Sequence, residues 1–237
     1  MMKKSLYTAK YRELVMKIQI PEGEGPHPVL LLLHGWTGDE NVMWIFASRL
    51  PGNYLMISPR GLYKSPLGGY AWHEQRSKEW PAVDEFRPAV EMLVDLVKAE
   101  NKLLDALADG GSDNGASKEA IARADFSTVS LVGFSQGAAL AYSFALMYPE
   151  RIQLLGGLAG FMPERVENLV ASQPLDGQKV FITHGTEDEI VPVEKARRSV
   201  ELMERAGSNV TYCEQQAGHK LSAACFRALE SFFATHS

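Results

Sequence analysis

The sequence predicts an α/β fold, a mostly parallel sheet with helices on both faces. Three observations carry this. Short apolar runs without polar alternation recur, as in "VLLLLHG" (29–35) and "TVSLVGF" (128–134). A strand reads this way when both of its faces are covered, as in a parallel sheet packed between helices. Stretches with a helical apolar period fill the gaps, so strand-like and helix-like segments alternate along the chain.

The first strand candidate differs in kind. Leu14, Met16, Ile18 and Ile20 alternate with Val15, Lys17 and Gln19, and Pro21 closes the run, as in a half-buried strand. "EGEGPHP" is a turn. Buried strands are then expected at 29–35, at "YLMISP" (54–59), at 128–134, at "LLGGLAGF" (154–161) and at "KVFITHG" (179–185), with "NVTYCE" (209–214) as a further candidate. Between them, Val42, Ile45, Phe46 and Leu50 share one helical face. Val90, Leu93, Val94, Val97, Leu103, Leu104 and Leu107 form a long stripe. Val200, Met203 and Ala206 mark another helix, and Phe226, Leu229, Phe232 and Phe233 the last. "DGGSDNGASKE" (109–119) is acidic, but it lacks the glycine and the closing acid of a calcium loop, so a flexible surface loop is expected.

With 237 residues and 46% hydrophobic composition, the chain suits one α/β domain spanning 1–237. The net charge of −5, without any Arg/Lys stripe, argues against a nucleic-acid partner. Lys3 and Lys4 are followed by Tyr11, Arg12 and Glu13 rather than by an apolar segment, so no signal peptide is expected. The apolar run Val29 to Leu33 is far too short to span a membrane. Cys213 and Cys225 lie in apolar-periodic segments and read as packed free thiols, which suits a reducing compartment. The expected location is cytoplasmic, without stable membrane association, as a monomer or homodimer.

The chemistry concentrates at "LVGFSQGAAL" (131–140). Ser135 stands between Gly133 and Gly137, at the change from buried strand to helix. Such a corner is tight, and glycines two residues before and after remove collisions with the crossing elements. The following helix aims its free N–H groups at the same point. A serine hydroxyl attacks poorly without a base, and the base needs an acid to orient it. On such a sheet the acid and then the histidine follow the serine, each beyond a strand end. Asp188 in "VFITHGTEDEIVP" and His219 in "TYCEQQAGHKLS" meet that demand.

The other candidates fit worse. His27 falls in a turn before the sheet and His236 in the tail, while His34 and His184 close buried strands, where an imidazole bonded to backbone is expected. Glu187 and Glu189 flank Asp188 and read as solvated loop charges. An oxyanion needs two backbone N–H donors: Gln136, directly after the serine, and Trp36 in the glycine-flanked loop "HGWTGDEN".

Taken together, "LLLHGWTGDE", "ISPRG", "LVGFSQGAALAYSFALMYPE", "HGTEDEIVPVEKA" and "AGHKLS" resemble the phospholipase/carboxylesterase family of α/β-hydrolases, from about Pro28 to Phe233. That family contains small bacterial carboxylesterases and acyl-protein thioesterases. The resemblance implies an α/β-hydrolase fold with an eight-stranded type of sheet, no metal or cofactor, and hydrolysis of carboxylic esters or thioesters. It puts the family's serine, aspartate and histidine on Ser135, Asp188 and His219, and its oxyanion donors on Trp36 and Gln136. Two departures stand out: Ala138 where the family often has a second glycine, and the insertion-like loop near 110–117.

Only about twenty residues separate the strand at 154–161 from the one at 179, so no large cap domain is expected. The loop "GLYKSPLGGYAWHEQ" (61–75) carries Tyr63, Tyr70, Trp72 and His73. With Trp36, the residues Tyr70, Trp72 and His73 are candidates to contact an acylated small-molecule substrate, and packing of the loop is the competing reading. Trp44 and Trp80 read as packing or surface residues. The triad sets up acyl transfer in general, so a peptidase or an acyltransferase stays open beside an esterase. A ligand-binding protein on an inactive hydrolase scaffold is disfavoured by the full set of Ser135, Asp188 and His219.

Overall fold

The computed structural model describes residues 6–21, 24–74, 79–98 and 122–236. Its strands are β1 (Leu6–Tyr11), β2 (Leu14–Gln19), β3 (His27–Leu33), β4 (Leu55–Pro59), β5 (Tyr63–Lys64), β6 (Tyr70–Ala71), β7 (Ala124–Phe134), β8 (Ile152–Leu158), β9 (Lys179–Gly185) and β10 (Asn209–Gln215). Its helices are α1 (Trp44–Ala47), α2 (Arg87–Lys98), α3 (Gln136–Met147), α4 (Glu167–Ala171), α5 (Val193–Arg205) and α6 (Ala223–His236). Among the described residues, one eight-stranded sheet runs in the order β1-β2-β4-β3-β7-β8-β9-β10, and β5 and β6 form a separate small hairpin. The β1/β2 and β2/β4 pairs are antiparallel and every pair from β4 to β10 is parallel.

The apolar runs have a direct cause. Successive strand residues point to opposite faces, and both faces are covered. Leu30, Leu32, Met56 and Val132 meet Phe46 of α1 and Leu229 and Phe233 of α6. Leu31, Leu33, Ile57 and Leu131 meet Val90 and Leu93 of α2 and Leu140 and Phe144 of α3 on the other face. Leu30 to Leu33 are wholly buried, and each contributes on the order of 2 kcal/mol. β7, at the centre, leads straight into α3.

Several expectations need correction. β1 lies at the sheet edge with Leu6, Thr8 and Lys10 exposed, a pattern too polar to stand out. The segment 154–161 stops pairing as β8 at Leu158, because Ala159 turns away with φ of 47°. His27 opens β3, buried, with a ring nitrogen 3.2 Å from Asn53 O. The segment 42–50 contains only the single turn of α1. It buries Met43, Phe46, Ala47 and Leu50, and leaves Val42 and Ile45 43% and 67% exposed. The end of the stripe reaching Leu107, and the loop 109–119, lie outside the described residues. Between β8 and β9 only the five-residue α4 intervenes.

Cys213 and Cys225 are joined in a disulfide, contrary to the free thiols expected, with Cα atoms 5.6 Å apart. The reason is the return of the chain: β10 turns through 216–222 into α6, whose first turn lies against the strand. Ser222 starts that helix by accepting the Cys225 N–H on its hydroxyl at 3.1 Å. Neither cysteine is a free thiol, so their chemistry does not favour a reducing compartment. Among the described residues no helix is long and apolar enough to cross a membrane.

Candidate active site

Ser135 sits at φ 54°, ψ −117°, in the left-handed half of backbone space. A non-glycine residue held there stores on the order of 1–3 kcal/mol, and the surroundings impose it. The Ser135 N–H is held by Leu158 O at 2.8 Å. A methyl group on Gly133 would overlap the Gly137 carbonyl, and one on Gly137 would overlap the carbonyl of Leu33 in β3. The glycines are therefore clearances between backbones. Ala138, odd by resemblance, is explained by Gly160. The residue after Ala159 has no side chain, and a methyl there would overlap the Ala138 methyl. The alanine fits because its neighbour across the gap is a glycine.

Asp188 and His219 come from the ends of β9 and β10. Beyond the strands the two connections stay laced together, with Thr186 N–H on Gln215 O and Glu187 N–H on Ala217 O, each at 2.9 Å. Gly185 allows this approach, since a side chain there would overlap Ala217 O. Asp188 is buried. Its Oδ1 accepts the N–H groups of Ile190 and Val191 at 2.9 Å, and its Oδ2 accepts Nδ1–H of His219 at 2.7 Å. This fixes the imidazole tautomer: with the proton on Nδ1, Nε2 keeps its lone pair in the neutral ring. The His219 ring also lies 4.9 Å from that of Phe134, the residue before Ser135. Glu187 instead pairs with Gln216 in solvent, and Glu189 is exposed.

His184 and His34 are structural, as expected, with added roles. His184 Nε2 donates to Val191 O at 2.8 Å and stands 3.3 Å from Asp188 Oδ2, so it braces the aspartate loop. Burial lowers its pKa. His34 donates from Nδ1 to Gly35 O at 2.7 Å and accepts the Gly61 N–H on Nε2 at 2.8 Å. Burial pushes its pKa down to about 4, so it stays neutral and keeps both bonds.

The turn carrying Trp36 is built on this clamp. Thr37 N–H bonds Tyr70 O, Gly38 N–H bonds Gly35 O, and the Trp36 N–H has no partner among the described residues. Gln136 opens α3, where N–H groups lack intrahelical acceptors. Its side chain is occupied, accepting the Trp72 N–H at 2.8 Å. A second brace was not legible in sequence. Arg60 grips the buried Glu40 with two hydrogen bonds of 2.6 Å and stacks on Tyr70 at 4.7 Å. Arg60 in turn holds the Glu40 carboxyl below the usual range. The one signal was a charged residue directly after a mostly apolar strand.

The candidate contact residues divide. Trp36, 38% exposed, lines a cleft of about 450 Å³ together with Val42, Ile45, Phe46, Phe134 and His219. Lys220, Leu221 and Phe226 also line it and were not foreseen. Trp72 is fully buried, its ring N–H on His34 O at 2.7 Å. Tyr70 faces Arg60, and His73 is buried edge-on against Phe86, 3.8 Å from Glu85. None of these three lines the cleft, because the loop's aromatics turn inward to pack it. Trp44 bonds Glu40 O, and Trp80 packs on Phe161 beneath Lys195. Among the described residues no cluster suited to a metal ion occurs.

Comparison with known proteins shows likeness of fold and of sequence. The carboxylesterase of Bacillus cereus superposes with a TM-score of 0.69 at 25% identity, covering 94% of this chain and 95% of that one. An acyl-protein thioesterase 2 of Zea mays superposes at 0.67 with 18% identity over 93% and 98% of the two chains, a likeness of fold. Acyl-protein thioesterase 1 of Emericella nidulans is 34% identical over 90 residues, 36% of this chain, and the match spans about 38% of that relative's length. The fold is that of the α/β-hydrolases. Residues 16–237 match the profile described as phospholipase/carboxylesterase, and the chain belongs to that family.

Proposed function

We propose that the protein is a serine hydrolase that cleaves carboxylic esters through an acyl-enzyme on Ser135, with thioesters and lysophospholipids within reach of the same chemistry. The observation that carries this is the 2.7 Å bond between Asp188 and His219 Nδ1, one residue's ring away from the strained Ser135 corner. In this reading His219 Nε2 takes the proton of Ser135 as its hydroxyl attacks the carbonyl carbon. Asp188 holds the tautomer and stabilises the imidazolium. The N–H groups of Trp36 and Gln136 receive the oxyanion. His219 returns the proton to the leaving atom, then activates the water that releases the acid.

Each step is an addition to the acyl carbon or an expulsion from it, assisted by proton transfer and hydrogen bonds that the side chains and N–H groups named here supply, and the reading calls on no metal or cofactor. The reading places the substrate among acylated small molecules, with no nucleic-acid partner and no stable membrane association, and the protein as a monomer or homodimer. A cytoplasmic location also belongs to it, although the Cys213–Cys225 bridge counts against a reducing compartment. Counting alkylated thiols in protein taken from its native cell decides that point.

Ser135→Ala tests the assignment. Turnover of a short-chain nitrophenyl ester should fall by about 10⁶, and a fluorophosphonate should add its mass to the wild type alone. Undiminished turnover, or labelling of the variant, sinks the nucleophile.

A further inference from the structure

The cleft beside His219 runs from an exposed rim to a buried floor. Its floor is an aromatic stack, with the Phe46 ring 5.8 Å from Phe134 and 5.6 Å from Phe226. Its rim carries Val42 and Ile45, the two apolar side chains that the turn of α1 leaves in solvent. At about 450 Å³ the space is of the size that takes small molecules. Core packing does not use that rim, since Met43, Phe46, Ala47 and Leu50 serve the core instead.

The chemistry decides which part of a substrate lies there. In the tetrahedral intermediate the carbon holds Ser135 Oγ, the oxyanion, the acyl chain and the leaving atom. His219 must reach the leaving atom to protonate it, so the leaving group lies on the side that His219 walls. This cleft has His219 as one wall and the Gly35–Gly38 turn as another.

Resting on the serine-hydrolase reading above, we propose that the cleft is the subsite for an apolar leaving group, an alkyl or aryl alcohol or thiol. Deacylation passes through the same geometry in reverse, so the cleft also seats an apolar alcohol that takes the acyl group in competition with water. In that step the alcohol oxygen bonds the acyl carbon and the bond from Ser135 Oγ breaks. The alcohol proton moves to His219 Nε2 and on to Oγ. The product is a new ester, and nothing is oxidised or reduced.

Two series of esters test this. Along butyrates of methanol to 1-hexanol, kcat/KM should rise roughly two- to fourfold per methylene, while methyl esters of lengthening acids give a flatter line. All the butyrates share one butyryl-enzyme, so their kcat values should converge wherever deacylation limits. Added 1-hexanol should divert the butyryl-enzyme to hexyl butyrate, read by chromatography, far better than methanol at equal concentration.

Ile45 is mostly exposed, so Ile45→Gln should fold. It should cut the hexyl-to-methyl ratio and the hexanol diversion about fivefold. Leu67→Gln, at a residue 73% exposed and outside the cleft, should leave both unchanged. If Ile45→Gln flattens the acyl series and spares the alcohol series, the cleft holds the acyl chain and the proposal is wrong. If neither series responds, the cleft holds neither group and the proposal is equally wrong. Both outcomes leave the Ser135→Ala result standing, whereas failure of that result removes the parent reading whatever the series show.

Discussion

Replacing Gly160 with alanine puts a methyl group against the first turn of α3. It would overlap the Ala138 methyl and stand 2.9 Å from Ser135 O. Neither neighbour is the free end of a flexible side chain, so the strain moves backbone. Overpacking of this kind costs about 1–3 kcal/mol. The displaced element carries the Gln136 N–H, the proposed oxyanion donor, and complete loss of such a donor costs about 10²–10³ in turnover. A shift of some tenths of an ångström should lower kcat about tenfold with KM little changed, because the bond forms only in the transition state. Ala138→Gly, alone, should cost about 1 kcal/mol in helix propensity. Combined with Gly160→Ala it should recover much of the lost stability, a coupling of about 1–2 kcal/mol. Urea unfolding and short-ester kinetics on the four proteins measure both quantities. Additive effects, within about 0.5 kcal/mol, would refute the Ala138 methyl as the obstacle. Unchanged stability and turnover in Gly160→Ala would refute the close approach itself.

His34 links stability to acid. Its pKa is lowered by burial from 6.5 to about 4, so between those values the unfolded chain binds the proton more readily. Stability should be full above pH 6.5 and fall by about 3 kcal/mol as pH drops towards 4, with the lowered His184 acting in the same direction. Urea titrations at pH 7 and 4.5 should show a smaller acid loss in His34→Gln; equal losses would remove His34 from the account. Arg60→Ala strands the buried Glu40 carboxylate and should cost about 3 kcal/mol in thermal unfolding, with Arg60→Lys in between because it lacks the paired fork. A wild-type melting curve for Arg60→Ala would contradict the brace. Opening Cys213–Cys225, whose partners are 12 residues apart, should cost about 3 kcal/mol and lower turnover. The double alanine variant must match the dithiol-treated protein in both respects, or the effect lies elsewhere.

The strands were legible where burial on two faces leaves a continuous apolar run, as at Leu30 to Leu33. β1 was not, because an edge strand with Thr8 and Lys10 in solvent carries half the signal. The pairing of Asp188 with His219 was legible from their places just beyond two strand ends, and the structure puts them 2.7 Å apart. Val42 and Ile45 misled for the opposite reason. Periodicity counts apolar residues without knowing which ones face water, and here two of them face the cleft. Trp72 and His73 misled similarly, since aromatic loop residues look alike whether they greet a ligand or pack inward. The cysteine pairing depends on how α6 crosses β10, which the sequence spacing of two residues does not reveal.

The disulfide encloses the stretch that presents His219. Hydrolysis of an oxygen ester releases an alcohol, which is inert towards such a bridge. Hydrolysis of a thioester would release a thiol, and a thiolate is the attacking species in thiol–disulfide exchange. Product would then accumulate as a reagent against the covalent ring that holds His219, and oxygen-ester and thioester progress curves would diverge in shape even at matched initial rates. On the proposed reading, the bridge would tie the lifetime of the catalyst to which chalcogen its substrates carry.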